Sequence, residues 1–184
     1  MTIQIDDAGT GDLVGDAFVG FYRKETGEII YRTLSVELFQ GDNWKDKMPF
    51  KVVVDLVKDG LEELKFNRDK DKIEICRGNI FDRVRVFFEE EGINYELVSI
   101  EGKLQDAVEG KLVEHLRDLG VRSKSLTLKS GAQRYFVLFN WVSRDFPNRE
   151  KFVKNGFKKW NTVWRERAIK DYHKFKNSNR RPSY

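Results

Sequence analysis

The chain has 184 residues, 40% of them hydrophobic and 35% charged, which is enough for one buried core with at most a small appendage. It contains no apolar run of membrane-spanning length, and its first residues lack the basic and apolar segments of a secretory signal. Its single cysteine, Cys76, excludes an internal disulfide framework, and with only two histidines a structural zinc site is not expected. We therefore expect a cytoplasmic protein that does not span a membrane.

The first 120 residues show strand patterns followed by alternating helices and strands. Apolar residues at helical spacing, such as Val53, Val57 and Leu61, indicate the helices. The predicted elements, in chain order, are strands at 3–6, 17–23 and 29–39, a helix at 50–64, a strand at 73–76, a helix at 79–91, a strand at 95–100 and a helix at 104–119. The order β-β-β-α-β-α-β-α predicts an α/β fold, with a mixed β-sheet flanked by helices.

The last third of the chain is rich in aromatic and basic residues. Residues 134–142 predict a further strand, and apolar residues three or four positions apart predict a helix over 148–176. The polar residues 177–184 are expected to fray. We therefore predict an α/β core over 1–122 and, over 123–184, a C-terminal extension of one strand and one helix that packs on this core.

Charge is distributed unevenly between these two parts. Residues 1–120 carry 17 basic and 26 acidic side chains, a net of −9, whereas residues 121–184 carry 17 basic and 4 acidic side chains, a net of +13. Such an asymmetry favours a polyanionic partner, nucleic acid (DNA or RNA) first; the alternative is that the basic tail folds back on the acidic body. The apolar stripe of the predicted helix is expected to face the core, which leaves five cations as phosphate contacts: Lys154, Lys158, Lys159, Arg165 and Arg167.

The most informative segment is the end of the first predicted strand. The apolar residues Ile3 and Ile5 lead into Asp6 and Asp7, and a glycine-rich turn follows. Two carboxylates at the end of a strand that should be central are costly unless something compensates them, and a divalent cation is the usual compensation. The alternative is that both aspartates cap the turn through hydrogen bonds from side chain to backbone.

Two motifs, together with the order of elements, resemble the ribonuclease H-like superfamily. The run Asp6-Asp7-Ala8-Gly9-Thr10-Gly11 resembles the Asp-Glu-Ala-Gly-Arg-Gly motif of the type 2 ribonucleases H. The run Glu101-Gly102-Lys103-Leu104-Gln105-Asp106 follows the last predicted strand, where type 1 ribonucleases H and Holliday-junction resolvases place their final acids. The resemblance implies a ribonuclease H-like fold and a Mg²⁺- or Mn²⁺-dependent nuclease.

The resemblance also implies that four acids form the catalytic and metal-binding site: Asp6, Asp7, Glu101 and Asp106. Such carboxylates hold two divalent ions, one of which activates water while the other stabilises the leaving oxygen of a phosphodiester. Glu109 lies one helical turn from Asp106 and therefore on the same helix face. The alternative is that Asp106 and Glu109 belong to a solvated helix face.

Two departures from the family pattern keep other functions open. Arg77 follows the strand at 73–76, where such families usually place an acid, and Thr10 replaces the arginine with which type 2 enzymes read a ribonucleotide. The alternative to a nuclease is therefore a catalytically inactive module of the same fold that binds nucleic acid or assembles with protein. A third hypothesis is an adaptor whose basic tail binds an acidic protein.

Other classes of site lack their residues in this sequence. The glycine-rich turn is not followed by Lys-Ser or Lys-Thr, which argues against a P-loop. Neither His115 nor His173 is paired with a nucleophile, so acyl-transfer catalysis has no support. We expect Cys76 to be a small buried hydrophobe at the end of a strand.

Overall fold

A five-stranded mixed β-sheet lies at the centre of the computed structural model, which describes residues 1–127 and 131–178. Its strands are β1 (Thr2–Ala8), β2 (Ala17–Arg23), β3 (Glu28–Leu34), β4 (Lys72–Cys76) and β5 (Tyr95–Val98). Their order across the sheet is β3-β2-β1-β4-β5, in which β2 is antiparallel to β1 and β3, whereas β1, β4 and β5 are parallel. The predicted α/β fold with a mixed sheet flanked by helices is confirmed.

Helices cover both faces of the sheet. In the described residues they are α1 (Gly41–Lys45), α2 (Met48–Glu63), α3 (Asp82–Glu90), α4 (Lys103–Asp118), α5 (Gly131–Arg144), α6 (Phe146–Arg149) and α7 (Arg165–Ser178). Helices α2 and α3 share a buried cluster with Ile3 and Ile5 of β1, while α4 and α5 share another with Ala8 and Phe18. The first strand is therefore buried on both faces, as a central strand must be. None of the described helices is long and apolar enough to cross a lipid bilayer.

Most elements predicted in the first 120 residues lie within a few residues of their predicted bounds. The helices predicted over 50–64 and 104–119 are α2 and α4. The strand predicted over 29–39 ends earlier, at Leu34. A 3-10 turn begins there, because Ser35 Oγ accepts a hydrogen bond from the backbone N–H of Glu37 (3.4 Å).

The strand predicted over 134–142 is wrong, because this segment belongs to α5. Tyr135, Leu138 and Val142 are three or four residues apart, so they line one face of a helix. The same apolar segment also fits the pattern of a buried strand. Leu138 and Val142 are fully buried in the cluster beneath α4 and α5. Short runs rich in aromatic and β-branched residues do not distinguish a buried strand from a buried helix.

The single helix predicted over 148–176 is also wrong. The chain becomes extended at Val153, which forms an isolated antiparallel bridge with Val14. The backbone N–H of Lys154 then donates to the carbonyl of Leu13 (2.9 Å). These bonds to the core replace bonds along a helix axis, so the helix resumes only with a π-helical turn that leads into α7.

The C-terminal helices share their core with the sheet. Leu138 of α5 and Val153 belong to the same buried cluster as Val14, which follows β1. Residues on both sides of the boundary predicted after residue 122, between the α/β core and the C-terminal extension, therefore pack in one buried cluster. Residues 179–184, for which the sequence predicts fraying, lie outside the described residues.

Two glycines inside helices should respond oppositely to replacement by alanine. A Cβ at Gly60 of α2 would lie 2.6–2.8 Å from three ring carbons of Phe21, whereas a Cβ at Gly110 of α4 would meet nothing within 4 Å. We expect Gly60→Ala to lower the free energy of unfolding by about 1–3 kcal/mol through overpacking. Gly110→Ala should raise it by about 0.5–1 kcal/mol through helix propensity. Urea unfolding measures both, and a stabilising Gly60→Ala would contradict the packing of Phe21 on α2.

Candidate functional site

Two aspartates and a cysteine meet where the parallel strands β1 and β4 end. Ile5 of β1 is paired with Ile75 of β4, so the next residues, Asp6 and Cys76, lie side by side on neighbouring strands. Asp6, Asp7 and Cys76 each offer one ligand atom, and these three atoms lie within 4.8 Å of one another. Because residues at the same register of neighbouring strands share a face, the sheet itself brings Asp6 and Cys76 together.

Hydrogen bonds from two sides hold the carboxylate of Asp7. Thr10 Oγ1 donates to Asp7 Oδ2 (2.6 Å), and the Cys76 thiol donates to Asp7 Oδ1 (3.5 Å between sulfur and oxygen). Gly78 leaves room for this carboxylate, because a Cβ at residue 78 would lie 2.7 Å from Asp7 Oδ1. The glycine loop and β4 therefore fix the orientation of the second aspartate.

A buried lysine from the C-terminal half braces the loop that follows Asp7. Lys154 is 0% exposed, and its Nζ donates to the backbone carbonyl of Gly9 (2.5 Å). Burial lowers the pKa of Lys154 to about 8, while the charges of Asp12 and Asp16 oppose this shift. The prediction that Lys154 contacts nucleic-acid phosphates is therefore wrong. The chain is not helical at this residue, and the side chain points into the protein.

A third acid, Glu109 of α4, faces the same cleft. It lines a cavity of about 230 Å³ together with Asp6 and Cys76. Asp7 and Glu109 also line an adjoining cavity of about 320 Å³ beside the glycine loop. Arg134 of α5 holds the third acid in place, because its Nη1 donates to Glu109 Oε2 (3.0 Å). Carboxylates from β1 and α4 therefore converge on one cleft, here called the acidic cleft.

The two other predicted acids, Glu101 and Asp106, contribute no atom to the cluster of three ligand atoms, and neither does Glu109. Both side chains are exposed, and Asp106 lines a groove of about 710 Å³ along the outer side of α4. Strand β4 separates β1 from β5, so the strands that precede the two sets of predicted acids are not neighbours. On α4, Asp106 lies about 60° further from the buried side of the helix than Glu109 does. The expected convergence of Glu101 and Asp106 on Asp6 is therefore corrected.

Burial and mutual repulsion disfavour the ionised forms of the cluster. Burial raises the pKa of Asp6 to about 6, and the charges of Asp7 and Glu109 add to the rise. Burial also raises the pKa of Asp7, against the hydrogen bonds from Thr10 and Cys76 and the charge of Lys154. The pKa of the Cys76 thiol is raised by burial and by both aspartates, so the thiol stays protonated at neutral pH. A cation that neutralised the carboxylates would therefore be stabilised here.

The other four predicted phosphate contacts are exposed: Lys158, Lys159, Arg165 and Arg167. Two of them are already in ion pairs, because Arg167 Nε lies 3.9 Å from Asp171 Oδ2 and Arg165 Nε donates to Glu150 Oε1 (2.5 Å). The pair of Arg165 with Glu150 is largely solvated and contributes little to stability, so it does not prevent Arg165 from meeting a phosphate. Nucleic-acid binding by these four side chains stays a prediction.

Comparison with known proteins gives no independent guide to this site. No protein-family model matches the sequence, and a search of curated proteins found no similar one. The chemistry of the acidic cleft must therefore be argued from its own residues.

Asp6→Asn should stabilise the protein at neutral pH in the absence of divalent ions. The pKa of Asp6 is about 6 in the folded chain against an ordinary value of 3.8. The folded state therefore holds the proton more tightly, and wild-type stability falls as pH rises from about 4 to about 6. The neutral amide escapes this loss, which amounts to about 3 kcal/mol at most for a shift of this size. Urea unfolding in EDTA across this pH range measures the difference.

The stabilisation should vanish below about pH 4, where Asp6 is protonated in both the folded and the unfolded chain. Asp59→Asn is a matched control, because it removes an exposed carboxylate of α2 and should leave the pH dependence unchanged. If wild type and Asp6→Asn gave parallel curves, the burial of Asp6 described above would be contradicted.

Proposed function

We propose that this chain binds nucleic acid and hydrolyses its phosphodiester bonds with Mg²⁺ or Mn²⁺ held by Asp6, Asp7 and Glu109. The observation that carries this proposal is the convergence of these three carboxylates on the acidic cleft. The hydrogen bonds to Asp7 come from the neutral groups of Thr10 and Cys76. The charge of Lys154 also lowers the pKa of Asp7, but burial outweighs it and the pKa stays raised. Buried carboxylates such as those of Asp6 and Asp7 call for a cation, and a phosphodiester is a substrate on which such a cation acts.

The residues of the cleft match the ligand chemistry of a hard divalent cation. Mg²⁺ prefers carboxylate oxygens, which Asp6, Asp7 and Glu109 offer. The protonated Cys76 thiol is not such a ligand and instead donates a hydrogen bond to Asp7. When bound, the cation would activate a water molecule and stabilise the leaving oxygen of the phosphodiester.

The remaining polar residues of the cleft would position the acids and the substrate. Thr10 orients Asp7, and Arg134 orients Glu109. Arg77 is exposed on the rim of the cleft, where its guanidinium would bind a phosphate oxygen next to the carboxylates. Arg77, which stands where the resembled families place an acid, would thus bind the substrate.

A ribonuclease H-like fold is part of this proposal. The strand order β3-β2-β1-β4-β5 with an antiparallel β2 is compatible with that fold. The two aspartates of the motif lie at the end of its central strand. In this interpretation Glu109, rather than Glu101 or Asp106, is the acid supplied by the helix that follows the last strand.

The end of β4 favours a second candidate function, which is nucleic-acid binding without catalysis. Cys76 and Arg77 stand where the resembled families place a carboxylate, so β4 contributes no acid to the cleft. A protein whose metal site has lost one carboxylate ligand can keep its fold and its contacts with phosphate groups while it no longer binds a metal ion there. This alternative predicts binding that weakens with salt and is not accompanied by cleavage.

The purified chain should cleave labelled nucleic acid only when Mg²⁺ or Mn²⁺ is present. We expect cleavage of at least one of four substrates, namely single strands, duplexes, RNA–DNA hybrids and branched junctions. Asp6→Asn should lower the rate by at least about 10²-fold, because it removes a charged ligand from the metal site. Asp59→Asn removes an exposed carboxylate far from the cleft in sequence and should keep the wild-type rate. Gel assays measure all of these rates.

Salt-sensitive binding without cleavage of any substrate would contradict the nuclease and favour the inactive module. Neither binding nor cleavage at low salt would contradict both and favour the protein adaptor.

Substitutions of two acids of α4, Glu109 and Asp106, test which of them belongs to the metal site. Glu109→Gln should weaken Mn²⁺ binding by at least about 10-fold, because it removes a ligand. Asp106→Asn should change the binding by less than about 2-fold, because the charge of an exposed side chain is largely screened. Isothermal titration calorimetry measures both dissociation constants. The opposite ranking would return Asp106 to the site and contradict the role given to Glu109.

A further inference from the structure

A second cavity, of about 490 Å³, lies between the end of α4 and the outer side of α5. We call it the basic cavity, because the polar side chains that line it are cationic or neutral: Arg122, Ser123, Asn140, Arg144 and Arg149. Among the described residues, no aspartate or glutamate lines it. The groove along α4 is different, since it is lined by four carboxylates: Asp106, Glu109, Glu114 and Asp118.

An unpartnered hydrogen-bond donor is built into the wall of the basic cavity. Trp141 is 8% exposed, and its indole Nε1 is buried without an acceptor among the described residues. The indole nitrogen lies 4.0 Å from the position that a Cβ would take at Gly120, which lines the same cavity. A buried N–H without an acceptor is costly, and a ligand that accepts its hydrogen bond would remove that cost.

The three arginines of the cavity differ in how firmly they are held. Arg149 is fixed, because its Nη1 donates to the carbonyl of Trp141 (2.7 Å) and its guanidinium stacks 4.5 Å from the centre of the indole ring. Its Nε also lies 3.9 Å from Asp145 Oδ2, so part of its charge is already balanced. Arg122 and Arg144 are exposed, and no carboxylate among the described residues lies in ion-pair contact with them. One ordered cation and two available ones therefore surround the indole N–H.

We propose that the basic cavity binds a phosphate group. Phosphate oxygens accept hydrogen bonds from an indole N–H, and guanidinium groups bind them in pairs with both charge and geometry matched. A neutral ligand would leave Arg122 and Arg144 uncompensated, and a cation would be repelled. The chemistry of the wall thus selects an anion with several acceptor oxygens.

A continuous path joins the basic cavity to the acidic cleft. Arg122 lines both the basic cavity and the groove along α4. Glu109 and Arg134 line both that groove and the cavity beside Asp7. Arg134 and Arg144 are ten residues apart on α5, which is about 15 Å along the helix axis. If the proposed function holds, the phosphate belongs to a nucleic acid, although the groove between the two sites is lined by four carboxylates and does not itself attract a polyanion.

The indole N–H of Trp141 offers a direct readout in the full-length protein. Two-dimensional ¹H–¹⁵N spectra show one indole signal for each of the four tryptophans, and Trp141→Phe assigns the signal of residue 141. The probes are inorganic phosphate and a single-stranded oligonucleotide of about 12 nucleotides without terminal phosphates. Both titrations are made in EDTA, so that cleavage does not occur. We expect the Trp141 signal to shift in a saturable way while that of Trp160, also buried without an acceptor, stays in place.

Matched arginine variants test whether the cavity itself binds the anion. Arg122→Gln and Arg144→Gln, each made alone, should raise the dissociation constant read from the Trp141 signal by at least about 5-fold. Lys170→Gln removes an exposed charge of α7 that pairs with Glu166, and it should change the constant by less than about 2-fold. The rest of the spectrum reports whether each variant is folded.

The outcomes separate this proposal from the nuclease. A shift with the oligonucleotide supports a strand in the cavity, and a shift with inorganic phosphate alone supports a site for a free phosphate or a small phosphorylated ligand. A Trp141 signal that responds to neither probe overturns the phosphate site. So does a dissociation constant that is the same in Arg122→Gln and Arg144→Gln as in the wild type. Metal-dependent cleavage is measured separately, so its absence beside an intact Trp141 response would overturn only the proposed function.

Discussion

The negative charge at the end of β1 is the constraint on which the rest of the structure depends. Asp6 and Asp7 lie at the end of a central strand, where burial raises the pKa of both carboxyl groups. Buried carboxylates are stable only when hydrogen bonds or a cation compensate them. Thr10 and Cys76 provide hydrogen bonds to Asp7, and Lys154 contributes a positive charge, but together they do not outweigh the burial that keeps its pKa raised. The remaining electrostatic demand is what makes the cleft a candidate metal site.

The cations of the basic C-terminal part, residues 121–184, fall into two groups. Some are used inside the molecule, where Lys154 braces the glycine loop and Arg134 pairs with Asp12 and Glu109. Other cations, such as Arg144 in the basic cavity, remain on the surface. Folding back on the acidic body therefore accounts for some residues of the segment, while a surface for a polyanion stays a prediction for the others.

Local periodicity predicted the elements whose apolar spacing fits a single period and failed where the spacing is ambiguous or distant contacts compete. Helices α2 and α4 follow from apolar spacing alone. Residues 134–142 satisfy both a strand and a helix pattern, so only packing against the core selects the helix. The extended backbone at Val153 depends on its bridge to Val14, a partner that no local pattern reveals. The buried position of Lys154 follows from that same interruption.

The sequence by itself determined the order of strands and helices in the first 120 residues and the presence of two aspartates at the end of the first strand. Only the tertiary structure decided which distant residues join them. The pairing of β1 with β4 brings Cys76 to Asp7, and the rotation of α4 about its axis turns Glu109 rather than Asp106 toward the cleft. That rotation is set by the burial of residues such as Val108 against the sheet. Strand neighbours and helix rotation are properties of packing between distant segments, which local sequence patterns do not encode.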